Sequence, residues 1–400
     1  MKSELKMFNK ILLTIIGAFI VLSAKADSIP DEASRQLIWR VGAEFLPSWV
    51  AGTNAFLRGD NSVNKRVDLA LSGDLRFDFQ FNPLTRNGML YRGLYQGIGV
   101  GVRPFYAKNI LGTPGAAYVY QGAPICHFNN RLWFGYEWQF GAAFGWRHYQ
   151  KESDEFNTAV GGPVTAHMGV AFKLNYNISP RWMVSLGFIG NHYSNGNTSL
   201  PNGGVNSIGG IIGIAYTINP LDESLPVDKE LEREANRHRW SYDIVAYGAW
   251  RRRIVVVGDP AEPELCPGKF GILGLQFAPL FHLNRWVGIG PSLDIQWDES
   301  AGIEPYWVSG SHDENLLFER PPFGKQVSAG LSAHAELTMP IFAINAGLGY
   351  DILCPHGNKC FYQSLTLKTF VTSKLFLNVG YRLGNFSSPQ NLMLGVGVRL

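Results

Sequence analysis

The stretch Val67-Asp68-Leu69-Ala70-Leu71-Ser72-Gly73-Asp74-Leu75-Arg76-Phe77-Asp78-Phe79-Gln80-Phe81 alternates almost without a break. Val67, Leu69, Leu71, Leu75, Phe77, Phe79 and Phe81 fall on one parity. Asp68, Ala70, Ser72, Asp74, Arg76, Asp78 and Gln80 fall on the other. Side chains of a β-strand point alternately to its two faces, so this period separates an apolar wall from a polar one. A strand of a soluble sandwich also alternates, but seldom for so long. A tilted membrane-spanning strand needs about 9–11 residues, which this run exceeds.

The same period recurs along the chain. It predicts strands at 38–51, 66–82, 94–106, 116–127, 131–148, 163–177, 182–193 and 205–219. After a charged break, further strands are expected at 240–257, 268–283, 285–297, 304–310, 324–338, 341–352, 361–371, 375–386 and 391–400. The fold class is therefore all-β: a transmembrane antiparallel barrel, either two eight-stranded barrels in tandem or one of about 16 strands. Gly97, Gly99 and Gly101 lie on the inward parity of their strand and suit a narrow lumen. No βαβ context follows them, which argues against a nucleotide-binding loop.

Residues 1–26 read as a signal peptide, with Lys2, Lys6 and Lys10 before an apolar core from Ile11 to Leu22 and an Ala24-Lys25-Ala26 cleavage site. No later stretch is long and apolar enough for a spanning helix. Removing this segment takes the formal charge of the chain from +3 to zero. A neutral chain argues against nucleic acid as partner. The domains expected are the signal peptide, a first barrel at 27–219, a charged periplasmic linker at 220–239 and a second barrel module at 240–400. Cys354 and Cys360 bracket a short loop and are candidates for a disulfide, with free thiols as the other reading. No His, Cys and carboxylate cluster has metal-ligand spacing, and no metal or cofactor is expected.

Gly190-Asn191-His192-Tyr193-Ser194-Asn195-Gly196 ends the seventh strand. His192 and Ser194 are two residues apart and share a face with Val184, Leu186 and Phe188, on the apolar side. The loop Pro201-Asn202-Gly203-Gly204-Val205 leads back to Asn206, in step with Ile208, Ile212 and Ile214. A base, a nucleophile and an amide are thus expected together on the wall that meets lipid. Strands of a barrel that begins in the periplasm run outward when odd, so this end is extracellular. The plain alternative is a polar strand end at the membrane interface.

His-Tyr-Ser-Asn-Gly followed by Pro-Asn-Gly-Gly-Val-Asn resembles the signature of the outer-membrane lipid A 3-O-deacylases, the PagL type of acyloxyacyl hydrolase. The resemblance extends over about 38–219 and is sharp at 190–206. It implies an eight-stranded barrel in the cell outer membrane that hydrolyses an acyl ester of lipid A in lipopolysaccharide, among outer-membrane lipids. It further implies Ser194 as nucleophile, His192 as base, an oxyanion contribution from Asn195 and Gly196, and an acid near Asn206. This sequence has no acid at that position. Asn206 could orient His192 through its amide oxygen, as in Cys-His-Asn sites. Otherwise an acid such as Asp154 or Glu155 comes from a nearby loop.

Two other function classes remain open on the sequence: a non-catalytic barrel that keeps a relic of the signature as an anchor or platform, and a channel formed by both halves. Residues 187–195 align with Gly380-Tyr381-Arg382-Leu383-Gly384-Asn385-Phe386-Ser387-Ser388, where the serine recurs as Ser387 and Asn385 replaces the histidine. This is the trace of an internal duplication or a chance likeness. A serine without a base is an ordinary hydroxyl.

Overall fold

The computed structural model describes residues 37–82, 85–106, 108–150, 157–220, 237, 239–257, 262–306, 317–355, 359–386 and 388–400. The signal-peptide reading, Asp154, Glu155, Ser387 and most of the charged segment 220–239 lie outside the described residues. No helix among those described is long and apolar enough to cross a membrane.

The first unit is a closed barrel of eight antiparallel strands: β1 (Ile38–Ala51), β2 (Leu69–Gln80), β3 (Tyr95–Val102), β4 (Gly112–His127), β5 (Leu132–Trp146), β6 (Val164–Asn177), β7 (Trp182–Ser194) and β8 (Val205–Thr217). Each strand pairs with the next, and β1 pairs with β8 from Arg40↔Thr217 to Ala51↔Asn206. Tight turns follow β5's predecessor and β6, at 128–131 and 178–181. Longer loops at the opposite end run through 52–68, 147–163 and 195–204. The turn from β2 to β3 is longer because it contains α2 (Arg86–Leu90), capped by the Thr85 hydroxyl, while α1 (Ala55–Arg58) lies in the first long loop.

The alternation of β2 is expressed as expected. Leu71, Leu75 and Phe77 are exposed on the outer wall, while Asp74, Arg76 and Asp78 are buried in the lumen. The lumen is filled, not hollow. Arg76 pairs with Glu44 and, at 2.6 Å, with Glu137, while Lys173 reaches both carboxylates at 2.7 Å. Arg40 pairs with Asp78 at 2.7 Å. Buried charges persist only when paired and hydrogen-bonded, and here four strands supply mutually satisfying partners. The glycines of β3 make room for this packing. A Cβ on Gly99 would lie 2.3 Å from the Tyr118 ring.

The second unit is another closed eight-stranded barrel. Its strands are β9 (Arg239–Arg251), then, after the hairpin β10 (Ile254–Val257) and β11 (Glu262–Leu265), β12 (Phe270–His282) and β13 (Val287–Asp298). The hairpin β14 (Glu304–Tyr306) and β15 (Leu317–Glu319) precedes β16 (Val327–Thr338), β17 (Phe342–Leu353), β18 (Phe361–Phe370), β19 (Leu375–Gly384) and β20 (Ser388–Arg399). β20 pairs with β9 and closes the ring. Its lumen holds a second ionic cluster, in which Lys368 and Arg399 each reach both Asp243 and Glu336 at 2.6–2.7 Å. Cys354 and Cys360 are joined by a disulfide.

Two separate closures rule out the alternative of a single barrel of about 16 strands. Two expected strands are also redrawn. The run 240–257 is broken after Arg251, and its distal part pairs with β11 in a small sheet outside the barrel. Residues 304–306 of the expected strand 304–310 pair with β15, again outside the barrel, and 307–310 lie outside the described residues. Period two does not distinguish a barrel strand from a strand of a projecting hairpin, because both are extended.

Candidate catalytic site at the end of the seventh strand

His192 and Asn206 are direct cross-strand partners in the β7–β8 ladder. Ser194 is the last residue of β7. The imidazole lies between the other two side chains: His192 Nε2 is 3.0 Å from Ser194 Oγ, and Nδ1 is 2.6 Å from Asn206 Oδ1. The Asn206 amide nitrogen in turn lies 3.4 Å from Thr53 Oγ1. With the amide so oriented, Asn206 Oδ1 can only accept, so Nδ1 carries the proton. Nε2 then has a lone pair to accept the Ser194 hydroxyl proton. The arrangement is that of a nucleophile, a base and an orienter in series.

The three residues share parity with Leu186, Phe188, Ile208 and Ile212, all exposed apolar side chains of the outer wall. Tyr193, between His192 and Ser194, points the other way and anchors the strand end. Its ring packs on Trp146 and His167, and its hydroxyl accepts from Arg103 Nε at 3.1 Å. Arg103 is itself paired with Asp74. The inward Tyr193 thus anchors the strand end that carries His192 and Ser194.

The loops around the site are braced against one another. Asn54 Nδ2 donates to the Gly204 carbonyl at 3.0 Å. The Gly203 and Gly204 N–H groups donate to the Thr158 and Ala159 carbonyls. Gly161 is required here, because a Cβ would lie 2.2 Å from the Pro201 carbonyl oxygen. The backbone N–H of Asn195 donates to Asn202 Oδ1 at 3.0 Å, and Gly196 follows with φ +62°. Asn202 was quoted in the motif but given no role by sequence reasoning, nor was Thr53. Neither carries a local signal, since each acts across a loop. Asp154 and Glu155, the alternative acids, lie outside the described residues.

A second serine–histidine–asparagine set occurs in the other barrel and makes an instructive contrast. Ser332 Oγ lies 2.8 Å from His334 Nε2, and His334 Nδ1 meets Asn345 Oδ1. These side chains are lumenal and buried, and Ser332 also donates to Asp294 at 2.5 Å. The two sets share an atom pattern and differ in the parity of the strand positions that carry them. Among the described residues no three His, Cys, Asp or Glu side chains gather where a metal could bind.

Comparison with protein families decides the identity. Residues 92–215 match Lipid A 3-O-deacylase (PagL), and residues 240–400 match the Acyloxyacyl hydrolase, C-terminal domain. The chain belongs to the PagL family of acyloxyacyl hydrolases. It is accordingly an outer-membrane β-barrel hydrolase with a lipid A deacylase role. Among solved structures, Neisserial surface protein A (NspA) is 12% identical, over 45% of this chain and 97% of that one, with a TM-score of 0.30. The Ralstonia pickettii toluene transporter TbuX is 9% identical, over 90% of this chain and 87% of its own, with a TM-score of 0.18. No curated protein sequence matches.

Proposed function

We propose that this member of the PagL family is a carboxylic ester hydrolase that removes the 3-O-acyl chain of lipid A by a Ser/His mechanism at the lipid-facing, extracellular end of the first barrel. The observation that carries this reading is the His192 imidazole held between the Ser194 hydroxyl and the Asn206 amide oxygen. Ser194 Oγ attacks the ester carbonyl carbon while Nε2 of His192 takes its proton. The tetrahedral intermediate collapses, the C–O bond to the sugar breaks, and the imidazolium returns the proton to the sugar oxygen. Water, deprotonated by the same nitrogen, then releases the fatty acid from Ser194.

The neighbours suit an acylated substrate. Leu186, Phe188, Ile208 and Ile212 supply an apolar wall for acyl chains, on the same face as the trio. Asn206 is the departure from the expected acid. An amide oxygen orients the imidazole but stabilises its charged form less than a carboxylate does, so a slower enzyme is expected. For the oxyanion, Asn195 and Gly196 remain the proposed contributors. The Asn195 N–H must turn from Asn202 to serve, or the donor is the Gly196 N–H.

Mass spectrometry of lipid A from an outer membrane with and without the protein tests the reading. Loss of one 3-O-acyl chain is expected with the unmutated chain and not with Ser194→Ala. Unchanged lipid A in both, with the protein folded, would leave a non-catalytic barrel.

A further inference from the structure

We propose that Arg58 and Arg66 form the seat for a phosphate monoester on the lipid A saccharide, and so set the substrate class of the neighbouring ester hydrolase; this rests on the functional reading above. Both arginines are exposed and belong to the first long loop. Their side chains converge on Gly52. Arg58 Nη1 donates to the Gly52 carbonyl at 3.1 Å. A Cβ built on Gly52 would lie 3.0 Å from Arg58 Cγ and 3.8 Å from Arg66 Nη2. Gly52 precedes Thr53, whose hydroxyl meets the Asn206 amide. The two arginines are therefore linked to Asn206 through Gly52 and Thr53.

Two features mark them as a binding element. The first is charge. Two guanidinium groups brought together repel, and among the described residues neither is ion-paired, although Asp60 and Asp68 lie in the same loop. An anion between them would relieve that repulsion. Arginine forks match phosphate oxygens in geometry as well as in charge.

The second is placement. Arg66 lies over the ring of Trp49, 5.5 Å from its centroid. Trp49 is exposed on the outer wall and pairs with Ile208. Exposed tryptophans at the ends of barrel strands sit at the level of lipid headgroups, where phosphates are found. The loop that holds the arginines is fixed in advance: Phe56 and Leu57 are buried, Asn61 Nδ2 donates to the Phe56 and Lys65 carbonyls, and Val67 N–H donates to Leu57. A seat that needs no ordering on binding retains more of its interaction energy.

The source of the phosphate is the substrate's own saccharide, whose phosphate and 3-O-ester lie on one rigid ring system. The test is binding, so that it does not depend on turnover. Ser194→Ala protein in detergent is titrated with lipid A and with lipid A from which the phosphates have been removed. Charge-assisted contacts predict that phosphorylated lipid A binds about 10- to 100-fold tighter. Adding Arg58→Gln and Arg66→Gln should bring the ratio to about one, while Arg58→Lys/Arg66→Lys keeps part of it. Inorganic phosphate should compete only weakly, because it lacks the acyl anchor. Equal affinity for the two lipids, or a preference that survives the glutamine pair in folded protein, overturns the assignment. Failure of the unmutated chain to hydrolyse lipid A would instead sink the esterase reading, and the binding ratio would still report on the arginines.

Discussion

His192 Nδ1 lies 2.6 Å from Asn206 Oδ1, across a register in which the two residues are direct ladder partners. In the proposed mechanism the orienting group of the base is thus set by backbone pairing. If Asn206 holds the imidazole tautomer, Asn206→Ala should lower turnover of lipid A by about 10²–10⁴-fold, compared with the roughly 10⁴-fold cost of converting the buried acid of a serine-protease triad to its amide. Asn206→Glu restores a carboxylate where the imidazolium forms, and should equal or exceed the parent rate. Unchanged turnover in Asn206→Ala together with lost turnover in Asn206→Glu would put the third residue elsewhere. Asp154 and Glu155 would then be the next to test.

Ser194→Ala and His192→Ala should each abolish deacylation while leaving heat-modifiable migration on gels intact, since both share the parity of the exposed Leu186 and Phe188 and not that of the lumenal ionic cluster. Ser387→Ala should leave turnover unchanged, as the aligned histidine position there is Asn385. Residual turnover above about one per cent in either of the first two variants would contradict the roles given to them.

Neither barrel should conduct ions steadily. Tyr95, Tyr118 and Tyr120 pack in the first lumen with Arg76, Glu44, Glu137 and Lys173, and a ring of eight strands encloses little more than its own side chains. Planar-bilayer recordings of the purified chain should show only brief, irregular events. A stable, porin-like open level would show that the packing in the lumen gives way in a membrane.

Glu137→Gln removes one carboxylate from between Arg76 and Lys173, leaving two buried cations with a single acid, Glu44. Breaking a buried ionic set by removing one partner costs about 3–5 kcal/mol. Urea titration of detergent-folded protein, followed by the gel shift, should show that loss. Simultaneous replacement of all four charged residues by apolar ones of similar volume should cost much less. A small effect of Glu137→Gln alone would mean that water reaches the cluster.

A chain of residues 27–219 should refold in detergent to a heat-modifiable barrel with hydrolase turnover, because β1 and β8 close on each other. A segment that remains unfolded until residues 240–400 are supplied would show that closure of the first ring depends on the second.

The barrel architecture was legible in the sequence because lumen and lipid impose opposite polarity on alternate residues. In β2, Leu75 and Phe77 face outward and Asp74 and Arg76 inward, as alternation demands. The shared face of His192, Ser194 and Asn206 was legible for the same reason. What alternation does not specify is who meets whom inside. The partners of Arg76 are Glu44 on β1 and Glu137 on β5, and no spacing links residues 32 and 61 positions apart. The Asn195–Asn202 hydrogen bond was hidden for a related reason: a loop's internal bonds depend on backbone path, which composition does not fix.

The closing seams have a kinetic consequence. The first ring is sealed by pairs such as Arg40↔Thr217, and the second by pairs such as Asp243↔Arg399. Each joins residues more than a hundred positions apart, a separation that makes the joining step slow relative to the local hairpins. The first seam joins β1 to β8 and the second joins β9 to β20, so neither closure draws on strands of the other ring. Folding of this chain is therefore expected to show two slow closing steps, each with its own rate, and a mutation at the second seam should leave the first rate unchanged.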